Sequence, residues 1–149
     1  MPKNELIKPF VKWVGGKRQL LDEINKYIPK QYSTYYEPFV GGGAVFLNEQ
    51  PKKAIINDRN EELITAYKTI KNNMKELIEI LKMHAEKNSE DYFYHVRALD
   101  REEGYKNLPD VEKSARLIYL NKTCFNGLYR VNSSGFFNSP YGRYKNPNI

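Results

Sequence analysis

Residues 34–58 constrain this chain more than any other stretch. Thr34 to Val40 reads as a short strand running into Gly41-Gly42-Gly43, and Ala44 to Asn48 can open a helix. Ala54-Ile55-Ile56 reads as a second buried strand, ended by Asn57-Asp58. Strand, glycine turn, helix, strand and acid, in that order, make the opening half of a doubly wound α/β unit. Glycines directly after a strand let the backbone turn tightly and approach a ligand, with helix amides just beyond. Gly41 and Gly43 are therefore binding candidates. The stretch is not a dinucleotide fingerprint, because Phe46 stands where a third glycine is needed. Asp58 lies fifteen residues past Gly43 at the end of the second strand, where an acid can accept from ribose hydroxyls. It could equally cap the following helix, a place that Asn57 or Asn60 could also fill. The pair favours an adenosine-bearing ligand without saying which.

The remaining pattern is mostly helical. Lys17 to Ile28 puts Leu20, Leu21, Ile24, Tyr27 and Ile28 on one helical face, ended by Pro29. Glu61 to Lys71 and Met74 to Lys87 read as helices, the latter with Leu77, Ile78, Ile80 and Leu81 as its apolar stripe. Ser89 is placed to cap a helix over Tyr92 to Leu99. Pro109 to Cys124 reads as a further helix with Val111, Ala115, Ile118 and Tyr119 facing inward. Beyond it, Leu128-Tyr129-Arg130-Val131 and Phe136-Phe137-Asn138 flank Asn132-Ser133-Ser134-Gly135, as in a β-hairpin. Only two parallel strands are visible, too few for a finished sheet.

Composition narrows the function classes. At 149 residues, with 40% hydrophobic and 28% charged side chains, the chain suits one ordinary domain. No stretch approaches the ~20 apolar residues of a membrane span. The start, Met1-Pro2-Lys3-Asn4-Glu5, lacks the apolar region of a signal peptide, so a cytoplasmic protein is expected. One cysteine, Cys124, excludes an internal disulfide and a thiolate-rich zinc site, and two histidines give little support to a metal centre. The net charge of +6 is unevenly spread: net +4 over residues 1–30, −4 over 31–112, and +6 over 113–149, which hold no acid. That last block interleaves its cations with Phe125, Tyr129, Phe136, Phe137, Tyr141 and Tyr144 and with several asparagines. The mixture suits a polyanion whose bases are stacked on and hydrogen-bonded, though a basic surface loop reads the same way.

Two further segments carry chemistry. In Lys12-Trp13-Val14-Gly15-Gly16-Lys17-Arg18 the Gly-Gly-Lys hints at a P-loop, but that motif's first glycine is absent and Arg18 stands in place of its Ser or Thr. Trp13, the only tryptophan, could stack on a ligand between cationic anchors or fill a core. In the segment from Asn121 to Lys145, Arg130 could read guanine through its fork and Asn126 could pair with a base edge. Phe125 could wedge where a base leaves the duplex. Each aromatic could also be a core residue, and Cys124 reads as packing rather than nucleophilic because no partner histidine is near in sequence.

Taken together, Phe10-Val11-Lys12-Trp13-Val14-Gly15-Gly16-Lys17, Glu37-Pro38-Phe39-Val40-Gly41-Gly42-Gly43, Ile56-Asn57-Asp58-Arg59-Asn60, and Phe125-Asn126-Gly127-Leu128-Tyr129-Arg130 with Phe137-Asn138-Ser139-Pro140-Tyr141-Gly142-Arg143-Tyr144 follow a known order. The chain resembles the Dam-type (DpnII/MboI-like) adenine-specific DNA methyltransferases, restriction-modification enzymes among them, over nearly its whole length. The resemblance implies S-adenosyl-L-methionine as cofactor and GATC in double-stranded DNA as target. It implies Trp13, Lys17, Phe39 and Asp58 at the cofactor, with Asp58 on the ribose. It implies Lys12, Asn126, Leu128, Arg130, Pro140 and Tyr144 on DNA, and Phe125 in the gap left by the flipped adenine. The implied fold is a partial doubly wound, Rossmann-like methyltransferase sheet (residues 1–60) with a mostly helical target-recognition region ending in a β-hairpin (residues 61–149).

One departure matters. The family carries Asp-Pro-Pro-Tyr to hold the adenine amino group, and this sequence has none. Asn138-Ser139-Pro140-Tyr141 falls where the family has a recognition segment, so it reads as recognition, and no catalytic residue is assigned. The family's catalytic motif lies downstream of Ile149, so the 149 residues alone are expected to be inactive. An incomplete sheet predicts exposed apolar faces, and hence self-association or a complementing C-terminal half. The rival readings are a non-catalytic DNA-binding module that retains the hairpin and an unrelated adenosine-ligand protein.

Overall fold

The computed structural model describes residues 7–149; the stretch Met1-Pro2-Lys3-Asn4-Glu5 lies outside them. The chain divides into two compact units, the first ending at Arg59 and the second spanning Asn60–Ile149.

The first unit is built on two parallel strands, β1 (Tyr35–Glu37) and β2 (Ala54–Ile56), paired Tyr35↔Ala54, Tyr36↔Ile55 and Glu37↔Ile56. Parallel neighbours need a crossover, and the chain between them carries the glycine turn and a short helix, residues Ala44–Glu49. The first strand is shorter than the expected 34–40. Pro38 has no N–H to extend the ladder, and pairing resumes only as Asn57 N donates to Glu37 O and Val40 N to Asn57 O, both at 2.9 Å. The helix expected over 17–28 also differs. It starts as a 3₁₀ turn over Lys17–Leu20, without a side-chain cap at Gly16, and its α-helical part is Leu21–Ile24. A three-residue turn breaks the expected stripe. Leu21, Ile24 and Ile28 are half-buried, whereas Leu20 and Tyr27 are exposed.

The second unit is helical. We label its helices α1 (Glu61–Asn72), α2 (Met74–Lys87), α3 (Glu90–Ala98) and α4 (Asp110–Thr123). Asn60 caps α1 by accepting from Leu63 N at 2.9 Å, and Ser89 caps α3 by accepting from Tyr92 N at 3.1 Å. The other three helices pack around α4. The four α4 residues expected inside are buried, and so are Ser114, Arg116, Leu117, Leu120, Asn121 and Thr123. A helix covered all round runs through a core rather than over it. Phe93, Val96, Tyr119, Leu120, Cys124 and Phe137 form the central apolar cluster.

The stripe of α2 needs correction. Leu77 is buried and Ile80 and Leu81 are half-buried, but Ile78 is exposed and His84 is buried in its place. Positions 77, 80, 81 and 84 follow helical periodicity and 78 does not. The His84 ring stacks on Tyr119 with centroids 4.9 Å apart, and its Nδ1 lies 2.8 Å from the Tyr92 hydroxyl.

The hairpin also departs from expectation, because the two arms form no regular strand. They meet at two isolated antiparallel bridges, Cys124↔Tyr141 and Val131↔Phe137. Seven steps separate Cys124 from Val131 but only four separate Phe137 from Tyr141. The surplus is taken up by a 3₁₀ turn over Phe125–Gly127 with Asn126 left-handed at φ 56°. Regular pairing cannot continue through such a bulge.

Candidate functional site

Two clusters collect the residues singled out in the sequence, one in each unit. In the first, the backbone leaves β1, passes Phe39 and reverses through the glycines. Gly41 has φ +52°, and a Cβ there would stand 3.2 Å from Trp13 Cδ1. The indole therefore lies directly against the turn. Gly43, left-handed at φ 79°, precedes the helix at Ala44. Asp58 Oδ2 accepts from Gly41 N at 2.9 Å, tying the end of β2 to the turn. With Asn60 capping α1, the cap role left open for Asp58 falls to Asn60.

Lys17 Nζ donates to Phe39 O at 2.8 Å and to Glu37 Oε1 at 3.1 Å. The other oxygen of Glu37 accepts from the Tyr35 hydroxyl at 2.7 Å. Burial and the adjacent Glu37 carboxylate push the Tyr35 phenol up, so it keeps its proton and remains a donor. The Phe39 ring is 74% exposed, which leaves an aromatic face available beside the turn. Trp13, Lys17, Phe39, Gly41, Gly43 and Asp58 thus surround a single reversal. Glu37, which was read only as part of the motif, is its buried charged support; an acid at the end of an apolar strand was the available signal.

The second cluster is the irregular hairpin. Phe125 is 55% exposed on the bulge beside Asn126, and Leu128 and Tyr144 are also exposed. Pro140 O accepts from Phe125 N at 2.8 Å, and Gly142 N donates to Thr123 O at the same distance. A Cβ on Gly142 would stand 2.9 Å from the carbonyl oxygens of both Thr123 and Cys124, so only glycine lets the Tyr144 arm lie this close to the end of α4. Arg130 is exposed, with Nε donating to Asn138 Oδ1 at 2.8 Å. Phe125, Asn126, Leu128, Arg130, Pro140 and Tyr144 all belong to the second unit, while Lys12 is an exposed residue of the first.

The core under this hairpin is charged, which the sequence reading missed. Arg116 is 3% exposed, and its guanidinium meets Asp100 Oδ2 at 2.9 Å, Val96 O and Arg97 O at 2.9 Å, and Tyr105 OH at 3.1 Å. Asp100 Oδ2 also accepts from Phe137 N at 2.8 Å, and Arg101 Nη2 donates to Phe137 O at 2.8 Å. Tyr129, pushed up to about 12 by burial and then by Glu62, donates to the Glu62 carboxylate at 3.3 Å. An arginine inside the otherwise apolar run Ala115–Leu120 was the signal for this network. Among the described residues, no group of three or more His, Cys, Asp or Glu could hold a metal ion, and no helix is long and apolar enough to cross a membrane.

Comparison with known proteins gives the family. The family model of the D12 class N6 adenine-specific DNA methyltransferases matches residues 13–149. The chain is 49% identical over 150 residues to the Type II methyltransferase M1.LlaDCHI of Lactococcus lactis subsp. cremoris, an alignment covering 100% of this chain and 53% of that protein. It is 46% identical over 160 residues to the Type II methyltransferase M.MjaIII of Methanocaldococcus jannaschii, covering 96% and 55% respectively. It is 38% identical over 149 residues to the DNA adenine methylase of Escherichia coli (strain K12), covering 99% and 51%. The chain thus spans about half the length of the curated relatives it matches. A family match that takes in the tryptophan, the glycine turn, the acid after β2 and the whole bulged hairpin leaves one assignment: the chain belongs to the D12 class N6 adenine-specific DNA methyltransferase family.

Proposed function

We propose that these residues form the cofactor-binding and target-reading portion of a cytoplasmic adenine N6 methyltransferase, acting on GATC in double-stranded DNA in a restriction-modification setting. The observation that carries the reading is the Asp58–Gly41 hydrogen bond, which fixes an acid beside a glycine reversal at the end of a parallel strand. The first unit is the partial Rossmann-like sheet and the second the target-recognition subdomain.

The residues at the turn fit S-adenosyl-L-methionine. A Cβ at position 41 would press on the Trp13 ring, so the turn is shaped for backbone approach. Asp58 supplies a carboxylate for ribose hydroxyls. Trp13 and the exposed Phe39 ring supply aromatic faces for the adenine and the sulfonium cation. The cofactor, when bound, supplies an electrophilic methyl group. Lys17 holds the Phe39 carbonyl and thereby the entry to the turn. On DNA, Phe125 fills the space left by the extruded adenine, Arg130 and Asn126 meet base edges, and Leu128, Pro140, Tyr144 and Lys12 contact the duplex. An adenine amino nitrogen is a weak nucleophile because its lone pair is delocalised into the ring, so alignment and hydrogen-bond acceptors constitute the catalysis.

Isothermal titration with S-adenosyl-L-methionine tests the cofactor assignment. Wild type should bind, and Asp58→Asn, which keeps an acceptor for the Gly41 amide, should weaken binding about tenfold or more at unchanged circular dichroism. Equal affinity of the two proteins would remove Asp58 from the cofactor.

A further inference from the structure

Asn138 makes more contacts with Arg130 than a turn residue needs. Its side-chain Oδ1 accepts from Arg130 Nε at 2.8 Å, its carbonyl accepts from Arg130 Nη2 at 3.4 Å, and its own backbone N donates to Arg130 O at 2.9 Å. Nε and Nη2 form one edge of the planar guanidinium, and Asn138 chelates that edge with two oxygens. Among the described residues, the side-chain hydrogen bonds of Arg130 run to Asn138. The far end of the fork, Nη1 with the second hydrogen of Nη2, is left facing solvent on an exposed side chain. That end presents the two parallel donors that match the O6 and N7 acceptors of guanine.

Asn138 is itself a fixed reference. Both neighbours are pinned to the helical core: Phe137 by Asp100 and Arg101 through its backbone N and O, and Ser139 by Arg97 Nη1 on its carbonyl at 3.2 Å. Ser139 Oγ in addition donates to Leu128 O. An exposed arginine ordinarily loses rotamer freedom when it binds; here the asparagine restricts the fork before any DNA arrives.

We infer that Asn138 is a specificity-determining positioning residue, holding the Arg130 guanidinium edge-on so that its outer fork reads one guanine. The inference rests on the proposed DNA-reading role of the hairpin. Its test is fluorescence anisotropy of the 149-residue chain on duplexes carrying GATC and each single-base-pair variant, with melting temperatures recorded for every protein. Asn138→Ala should reduce discrimination about tenfold at the base pair where Arg130→Ala loses it, and at no other. The same change added to Arg130→Ala should cost nothing further. Asn138→Asp keeps the acceptor for Nε, so it should retain discrimination while weakening all duplexes alike through its added negative charge.

Uniform loss across all duplexes for Asn138→Ala, with a shallower salt dependence, would make Asn138 a phosphate contact and overturn the inference alone. So would wild-type discrimination in Asn138→Ala where Arg130→Ala has lost it. A wild-type chain that binds every duplex equally would overturn the hairpin's reading role and the inference together.

Discussion

Gly41 is required by two separate contacts, a left-handed backbone at φ +52° and the Trp13 ring 3.2 Å from where a Cβ would stand. Gly41→Ala should therefore cost about 1–2 kcal/mol from the backbone alone, read as a lower urea midpoint, and should weaken S-adenosyl-L-methionine binding. His84 makes a prediction about pH. Burial first, and Lys87 second, lower its pKa to about 4. The unfolded chain then takes up a proton near pH 6.5 that the folded chain refuses until about pH 4. Stability should be full above pH 6.5 and decline as pH falls from 6.5 through 4. His84→Gln can still accept from the Tyr92 hydroxyl and should flatten the dependence across that window in thermal melts; an unchanged slope would assign the acid sensitivity elsewhere. The tight turn at Gly41 was legible in the sequence, but the His84 effect was not, because a histidine on a helix shows its burial only once the neighbouring helices are in place.

At the scale of elements, legibility followed locality. The bounds of the strand Ala54–Ile56 and of the helix Met74–Lys87 match their sequence readings, and Ser89 caps where its side chain was expected to, but the strand is not buried as expected: Ile55 is exposed and its neighbours are half-buried. These features depend on neighbours within a turn or two. The hairpin does not: its pairing is set by the three surplus residues absorbed at Phe125–Gly127 and by the charged groups beneath it. Arg116 marks the limit of periodicity arguments, since a buried arginine on a core helix is held by Asp100, which lies outside any regular helical repeat with it. Arg116→Met would leave Asp100 with Arg101 as its remaining ion pair. It should cost about 3 kcal/mol or more in chemical denaturation and loosen the Phe137 backbone that Asp100 holds. A near-neutral result would mean that the cluster could be replaced by an apolar one without loss.

For the whole molecule, charge counting overstated what DNA can meet. Of the cations in residues 113–149, Arg116 is internal, Lys113 donates to Lys106 O, and Arg143 pairs with Glu90 at 3.1 Å. The basic end block is thus partly committed within the fold, and under the proposed function base-edge readout supplies much of the selectivity. The glycine turn and the acid after β2 were legible as neighbours because both are sequence-local, whereas the contacts of Glu37 and Asn138 come from partners distant in sequence. A polypeptide of these 149 residues has no Asp-Pro-Pro-Tyr. Incubated with labelled S-adenosyl-L-methionine and GATC duplex, it should leave the DNA unlabelled, and label on adenine would contradict that expectation. The most direct test of the account is a titration of the chain against GATC and scrambled duplexes at two salt concentrations. The account predicts tighter binding to GATC, with the preference surviving at the higher salt while absolute affinity falls. Equal affinities with a steep salt dependence would show that the hairpin grips phosphates and reads no sequence.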